Sequence, residues 1–115
     1  MLTKLYIFNA TLLLLHEIES GFEKEWEILK LPGKITGFLI IHVPIILILF
    51  YGLLEIDKGT KTGSIIGIIS GIGGLVPFWV HKVFVYKREH FNKAISNVII
   101  YLNLLAGAGV LILVI

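Results

Sequence analysis

The chain has 115 residues, of which 57% are hydrophobic and 16% are charged, whereas a soluble domain is about 45–50% apolar and about 25% charged. This composition excludes a disordered chain or a coiled coil, and it argues against a soluble globule because so short a chain lacks the volume to bury this much apolar surface. The absence of cysteine excludes disulfides, Cys-based zinc sites and iron–sulfur clusters, and a net charge of +2 without clustered Lys and Arg argues against a nucleic-acid partner.

Four apolar segments follow one another and predict one all-α domain over residues 1–115, an integral membrane up-down-up-down bundle of four transmembrane helices. The predicted helices are 3–29, 35–56, 63–86 and 90–115. The last three are each long enough to cross a hydrocarbon core about 30 Å thick. The first has a clean apolar run of only 11 residues, Leu5–Leu15, so it spans only if His16 is shielded by protein at membrane depth.

The distribution of Lys and Arg predicts the orientation of these helices. Loops one and three, with the helix ends beside them, carry seven Lys or Arg residues, and the opposite side carries three. By the positive-inside rule both loops lie in the cytoplasm and both termini lie outside, as in a multi-pass protein of the cell (inner) membrane. Membrane lipid is therefore an expected partner.

Each segment carries one histidine, and all four histidines are placed near the same side of the membrane. They are His16, His42, His81 and His90. On the first helix, helical spacing puts three further polar residues on the face of His16, namely Asn9, Glu19 and Glu23. Glu17 is predicted to point elsewhere, to water or to a neighbouring chain.

Imidazole and carboxylate groups without thiolates predict a divalent metal site, with zinc favoured over iron or manganese. Polar side chains at membrane depth are costly and usually functional. The predicted ligands are His16, Glu19, His42 and His81, with His90 as an alternative, and Asn9 and Asn97 are expected to support them. If the metal activates water, Glu19 or Glu23 acts as the general base of a hydrolase for a lipid or lipid-linked substrate.

Other interpretations of the same polar layer stay open. The layer also fits a non-catalytic module that binds or transports a metal ion or a proton, or a polar core that only specifies packing. Haem, held by two facing histidines such as His42 and His81, is a weaker alternative. A zinc-protease motif is disfavoured because Ser20 stands where its second histidine belongs.

Glycines recur every four residues in the third segment, at Gly63, Gly67 and Gly71. Small residues at this spacing let a neighbouring helix approach closely. They predict tight packing inside the bundle, and the alternative is a homo-oligomer formed through the same face.

Scattered motifs over most of the chain resemble a family of short prokaryotic integral membrane proteins of unknown function. These motifs are His16-Glu17-Ile18-Glu19-Ser20, Glu25-Trp26, His42-Val43-Pro44, and His90 with Ser96-Asn97. They are similar in outline to the HXXEE-motif family, from which this chain departs because Ser20 replaces the second Glu. The resemblance implies no reaction, but it implies that the family's signature positions are His16, Glu19, Trp26, His42 and His90. It also makes Trp26 a candidate wall of the site.

Overall fold

The computed structural model describes residues 1–22, 32–80 and 94–115, and these residues form four α-helices. The helices are α1 (Leu2–Phe22), α2 (Lys34–Lys58), α3 (Lys61–Val80) and α4 (Ala94–Val114). The prediction of an all-helical chain is therefore confirmed for the described ranges. Within these ranges, three segments are long and apolar enough to cross a membrane, namely Lys34–Lys58, Lys61–Val80 and Asn97–Val114.

Helix α1 differs from these three because it carries polar side chains along its length. It has 21 residues and so is about 30 Å long. Asn9 and His16 lie on it with exposed fractions of only 0% and 3%, respectively. The condition that His16 be shielded by protein is therefore met.

A tight turn joins α2 to α3. Gly59 ends α2 in the left-handed region, with φ of 74°, which glycine adopts without strain. Thr60 then begins α3, because its hydroxyl accepts a hydrogen bond from the backbone N–H of Gly63 at 3.0 Å. The same hydroxyl donates to the Glu55 carboxylate at 2.6 Å, so the predicted polar turn is a defined helical hairpin.

The closest helix packing joins α3 to α4, where glycines of both helices meet. A Cβ atom added to Gly107 would lie 2.6 Å from the carbonyl oxygen of Gly71 and 3.0 Å from the Cα of Gly74. Gly63 and Gly67 are buried as well, and a Cβ on Gly63 would meet the α2 backbone. Gly63, Gly67 and Gly71 thus pack against α2 and α4 within one chain, and the alternative of a homo-oligomer through this face stays a prediction.

Helix α2 is the most peripheral of the four. Only Gly52 and Ile56 are buried along its 25 residues, and its remaining surface is largely apolar. It runs antiparallel to α1, since Tyr6 contacts Leu49 near the start of α1 and Glu17 contacts His42 near its end. This loosely packed helix forms one wall of the site described next.

Candidate functional site

A cavity of about 300 Å³ lies among α1, α2 and α3, a volume at the lower end of the usual range for small-molecule sites. One face of α3 lines it over Ile66–Val80, which corresponds to about 20 Å of helix. Most of the wall is leucine, isoleucine and valine. Among the described residues that line it, the polar side chains are His16, Glu17, His42 and Ser70. We call this space the α1–α2–α3 cavity.

Small residues on α3 leave room for the cavity. A Cβ added to Gly73 would meet only Leu13, at 3.8 Å, which is an ordinary van der Waals contact. Ser70 is the other small residue of this face, and its hydroxyl donates to the carbonyl oxygen of Gly67 at 3.0 Å. The α3 wall is therefore indented where α1 and α2 supply long aliphatic side chains.

Glu17 and His42 form an ion-pair or hydrogen-bond contact across the α1–α2 interface. The carboxylate Oε2 lies 2.5 Å from Nε2 of the imidazole. The exposed fractions are 17% for the His42 side chain and 31% for that of Glu17, so the contact is partly shielded from the surroundings. Glu17 is the last residue of α1, and His42 the first of α2, to line the cavity, so their contact lies at one end of it.

A backbone carbonyl and an aromatic ring fix the orientation of His42. Its Nδ1 lies 2.6 Å from the carbonyl oxygen of Phe38, one turn earlier in α2. The Phe38 ring packs on the imidazole, with the ring centroids 4.1 Å apart. Because a carbonyl oxygen can only accept, Nδ1 is the donor, and Nε2 is the atom that faces Glu17.

The prediction that Glu17 points to water or to a neighbouring chain is wrong. It rested on a single buried stripe through His16, with Glu17 about 100° away around the helix. Helix α1 instead contacts α2, α3 and α4, so more than one of its faces is covered. The charge of Glu17 is the signal that could have predicted this contact. A carboxylate on an apolar helix needs a partner, whichever face of the helix carries the carboxylate.

The structure places two of the predicted metal ligands on the cavity wall and one other, Glu19, outside it. His16 and His42 both line the cavity, whereas Glu19, which is half-buried, does not. Asn97 is half-buried on α4, away from the cavity wall. Four predicted site residues lie outside the described residues, namely Glu23, Trp26, His81 and His90. Within the described ranges, no three His, Asp or Glu side chains are grouped so that they could hold a metal ion.

Asn9 belongs to a second polar cluster, between α1, α3 and α4. Its Nδ2 donates to the carbonyl oxygen of Ser70 at 2.9 Å. Its Oδ1 and the backbone oxygen of Asn103 both lie close to Gly74, within 3 Å of the position a Cβ would take there. Both asparagines are fully buried, and within the described part of the chain neither amide atom of Asn103 has a hydrogen-bond partner.

Comparison with known proteins gives a family but no activity. The profile of one family, described as a family of unknown function (DUF6713), matches residues 2–115. The chain belongs to this family. A search of curated proteins found no match, and a search of solved structures found none. Membership in DUF6713 is consistent with the resemblance to a family of unknown function, and the site must be interpreted from its own geometry.

Proposed function

We propose that the protein is an integral membrane four-helix bundle, with loops one and three in the cytoplasm and both termini outside. The three candidate spans and the apolar outer surface of α2 support this arrangement. Helix α1 can cross beside them because Asn9 and His16 are buried and Glu17 contacts His42. The positive-inside rule supports the orientation.

The cysteine-free chain permits a direct test of this orientation. Lys34→Cys and Lys61→Cys place single thiols at exposed positions at the starts of α2 and α3. In intact cells an impermeant maleimide should label Lys61→Cys, and Lys34→Cys should react only after the membrane is opened. The reverse labelling pattern would contradict the proposed orientation, and labelling of both thiols in intact cells would contradict a membrane-spanning α2.

We propose that the protein binds one amphipathic, lipid-class molecule in the α1–α2–α3 cavity. The observation that carries this proposal is the shape and chemistry of the cavity, an apolar space along about 20 Å of α3 with Glu17 and His42 at one end. An apolar chain would lie against the aliphatic wall, and a polar group would reach the imidazole and the carboxylate. Membrane lipid is the most abundant source of such molecules.

Filling the cavity tests this proposal. Gly73→Leu adds a side chain where a Cβ is tolerated, and it should lower the lipid that co-purifies with the protein at least tenfold. The matched control is Ile72→Leu, which changes the neighbouring exposed residue and should retain the lipid. Both variants are compared with the unmodified chain by native mass spectrometry and by thermal unfolding. Wild-type lipid content in a folded Gly73→Leu protein would overturn the proposal.

A second candidate is a divalent metal at the same polar end, zinc before iron or manganese, with haem less favoured. The orientation of His42 favours it, because metal-bound histidines usually donate their other ring N–H to a carbonyl or carboxylate, as Nδ1 does to Phe38. His42 with either His16 or Glu17 would then supply two ligands, and the remaining ligands would have to come from outside the described residues, where His81 is a predicted ligand. The proposed chemistry is hydrolysis of a lipid or lipid-linked substrate by metal-activated water.

Elemental mass spectrometry and an absorption spectrum of the purified protein test the metal. A stoichiometric metal that is lost in both His16→Ala and His42→Ala would support this candidate. Metal content that neither substitution changes would exclude these ligands, and a Soret band would select haem instead.

A further inference from the structure

A proline interrupts the backbone hydrogen bonds of α3 on the wall of the α1–α2–α3 cavity. Pro77 lies inside the helix, and because proline has no N–H, it cannot donate to the carbonyl oxygen of Gly73, four residues earlier. Gly73 and Pro77 both line the cavity, so the affected turn of α3 is part of its wall. The helix therefore leaves one backbone acceptor without its usual donor on this face.

The backbone of Gly73 is accessible from the cavity. Gly73 has no side chain, so its partial exposure and its place in the cavity wall come from main-chain atoms. A helical carbonyl four residues before a proline also clashes with the proline ring, which tilts that carbonyl off the helix axis. A polar atom of a ligand can therefore reach the carbonyl oxygen of Gly73.

Neighbouring polar side chains among the described residues are engaged elsewhere. The Ser70 hydroxyl donates to the carbonyl oxygen of Gly67 at 3.0 Å, and Nδ2 of Asn9 donates to the carbonyl oxygen of Ser70 at 2.9 Å. Backbone groups that a proline frees in a membrane helix are normally paired again, because an unpaired carbonyl in an apolar space is costly. A donor on the ligand would supply the missing bond to Gly73.

The Gly73 carbonyl lies about one helical turn from the polar end of the cavity. Helices α1 and α3 run in the same direction, since Asn9 contacts Ser70 and Leu13 lies beside Gly73. Glu17 follows Leu13 by four residues, or about 6 Å along α1. The Gly73 acceptor is therefore placed where the polar end meets the aliphatic wall, which is the depth at which the head group of a bound lipid would join its chain.

Resting on the proposed binding of a lipid-class molecule, we infer that the ligand donates a hydrogen bond to the Gly73 carbonyl from an N–H or O–H group at the junction of its head group and its chain. The ligand class is an amide-linked or hydroxylated lipid. A lipid whose chain is joined only through an ester presents only acceptors at this junction, so it would leave the carbonyl unpaired.

Three probes with the same acyl chain test this junction. They are an N-acylethanolamine, the matching ester of ethylene glycol and a 1-monoacylglycerol. The first has an N–H where the glycol ester has an oxygen atom, and the third carries a hydroxyl one carbon away from its ester group. Each is added to the full chain in lipid nanodiscs, and the one-to-one adduct is quantified by native mass spectrometry.

We expect the ethanolamide, the monoacylglycerol or both to bind about tenfold more tightly than the glycol ester, because only the glycol ester lacks a donor at the junction. The tighter of the two shows whether an N–H or an O–H group is the preferred donor. A glycol ester that binds as tightly as both other probes would overturn the inference.

Two proline variants assign the effect to the Gly73 carbonyl. Pro77→Ala restores the N–H that pairs with Gly73 inside α3, so the preference over the glycol ester should fall from about tenfold to about twofold or less. Pro44→Ala is the matched control in α2. The carbonyl that Pro44 frees belongs to Ile40, an exposed residue that is not among the described residues lining the cavity, so the preference should be unchanged.

Thermal unfolding establishes whether both variants fold. An undiminished preference in a folded Pro77→Ala protein would contradict the assignment to Gly73. If Pro77→Ala does not fold, the comparison of the three probes in the unmodified protein decides.

The results also separate the junction donor from the binding function on which it rests. If the glycol ester binds as tightly as the other probes and Gly73→Leu abolishes that binding, the cavity binds lipid but the inferred donor is wrong. If no probe binds, or if Gly73→Leu leaves the binding intact, the proposed function fails as well.

Discussion

Helix α3 presents small residues to two very different surroundings. Towards α4 its glycines meet Gly107, and the backbones approach so closely that a single added Cβ would contact main-chain atoms at 2.6–3.0 Å. Towards α1 and α2, Gly73 and Ser70 face long aliphatic side chains, and a cavity of about 300 Å³ remains. Small residues of α3 therefore allow backbone contact where they face Gly107, and they leave a cavity where the opposing aliphatic side chains of α1 and α2 do not fill the space.

The largest expected effect separates these two environments with the same substitution. Gly107→Ala places a Cβ against the backbones of Gly71 and Gly74, which cannot move aside without parting the helices. We expect a loss of about 1–3 kcal/mol in the free energy of unfolding. Gly73→Ala meets only Leu13 at 3.8 Å and should be neutral or stabilise the protein by up to about 1 kcal/mol.

Thermal or denaturant unfolding in detergent measures both variants. The contrast between the two regions would be lost if Gly73→Ala and Gly107→Ala reduced stability equally. The contrast would be clearest at a temperature at which the Gly107→Ala protein is unfolded and the Gly73→Ala protein is still folded.

The sequence predicts the architecture better than the site because periodicity reports burial but not partners. Four apolar segments and the four-residue glycine spacing predict four helices and their close packing. The same periodicity placed His16 correctly in the interior, yet it assigned Glu17 to the outside. The number of helices that would surround α1 cannot be read from α1 itself. The expected metal ligands on the second half of the chain, His81 and His90, lie outside the described residues and stay predictions.

The buried amides of the glycine-lined region give the next prediction. Asn103 is fully buried, and its amide has no hydrogen-bond partner within the described ranges, a situation that costs about 1–3 kcal/mol. Asn103→Leu should therefore raise the free energy of unfolding by about 1 kcal/mol. Asn9→Leu removes the bond to the Ser70 carbonyl and should lower it by a similar amount.

Denaturant unfolding measures both variants. Changes of opposite sign in the free energy of unfolding would show that the Asn9 amide stabilises the contact between α1 and α3, whereas the Asn103 amide destabilises the fold. A stability loss from Asn103→Leu larger than that from Asn9→Leu would contradict this view of the core. It would mean that the Asn103 amide has a partner on which the fold depends.

The cavity region should respond to a double-mutant cycle. Glu17→Ala and His42→Ala each remove one side of a contact that is partly exposed, so each should cost about 1 kcal/mol. The double variant should cost less than the sum, with a coupling energy of about 0.5–1 kcal/mol. Denaturant unfolding of the four proteins gives this value, and additive effects would show that the contact contributes nothing to stability.

The last prediction concerns the other attachment of α2 to α1. The buried Tyr6 hydroxyl donates to the carbonyl oxygen of Leu49 at 2.6 Å, so Tyr6→Phe should cost about 1 kcal/mol. Tyr51→Phe makes the same change on the exposed side of α2 and should stay within about 0.5 kcal/mol of the unmodified protein.

Because Tyr6 and Glu17 hold α2 on either side of Leu14, which lines the cavity, weakening one attachment should ease separation of the two helices. If lipid leaves between α1 and α2, Tyr6→Phe should speed its release about fivefold, as 1 kcal/mol allows, and an unchanged release rate would place the exit elsewhere.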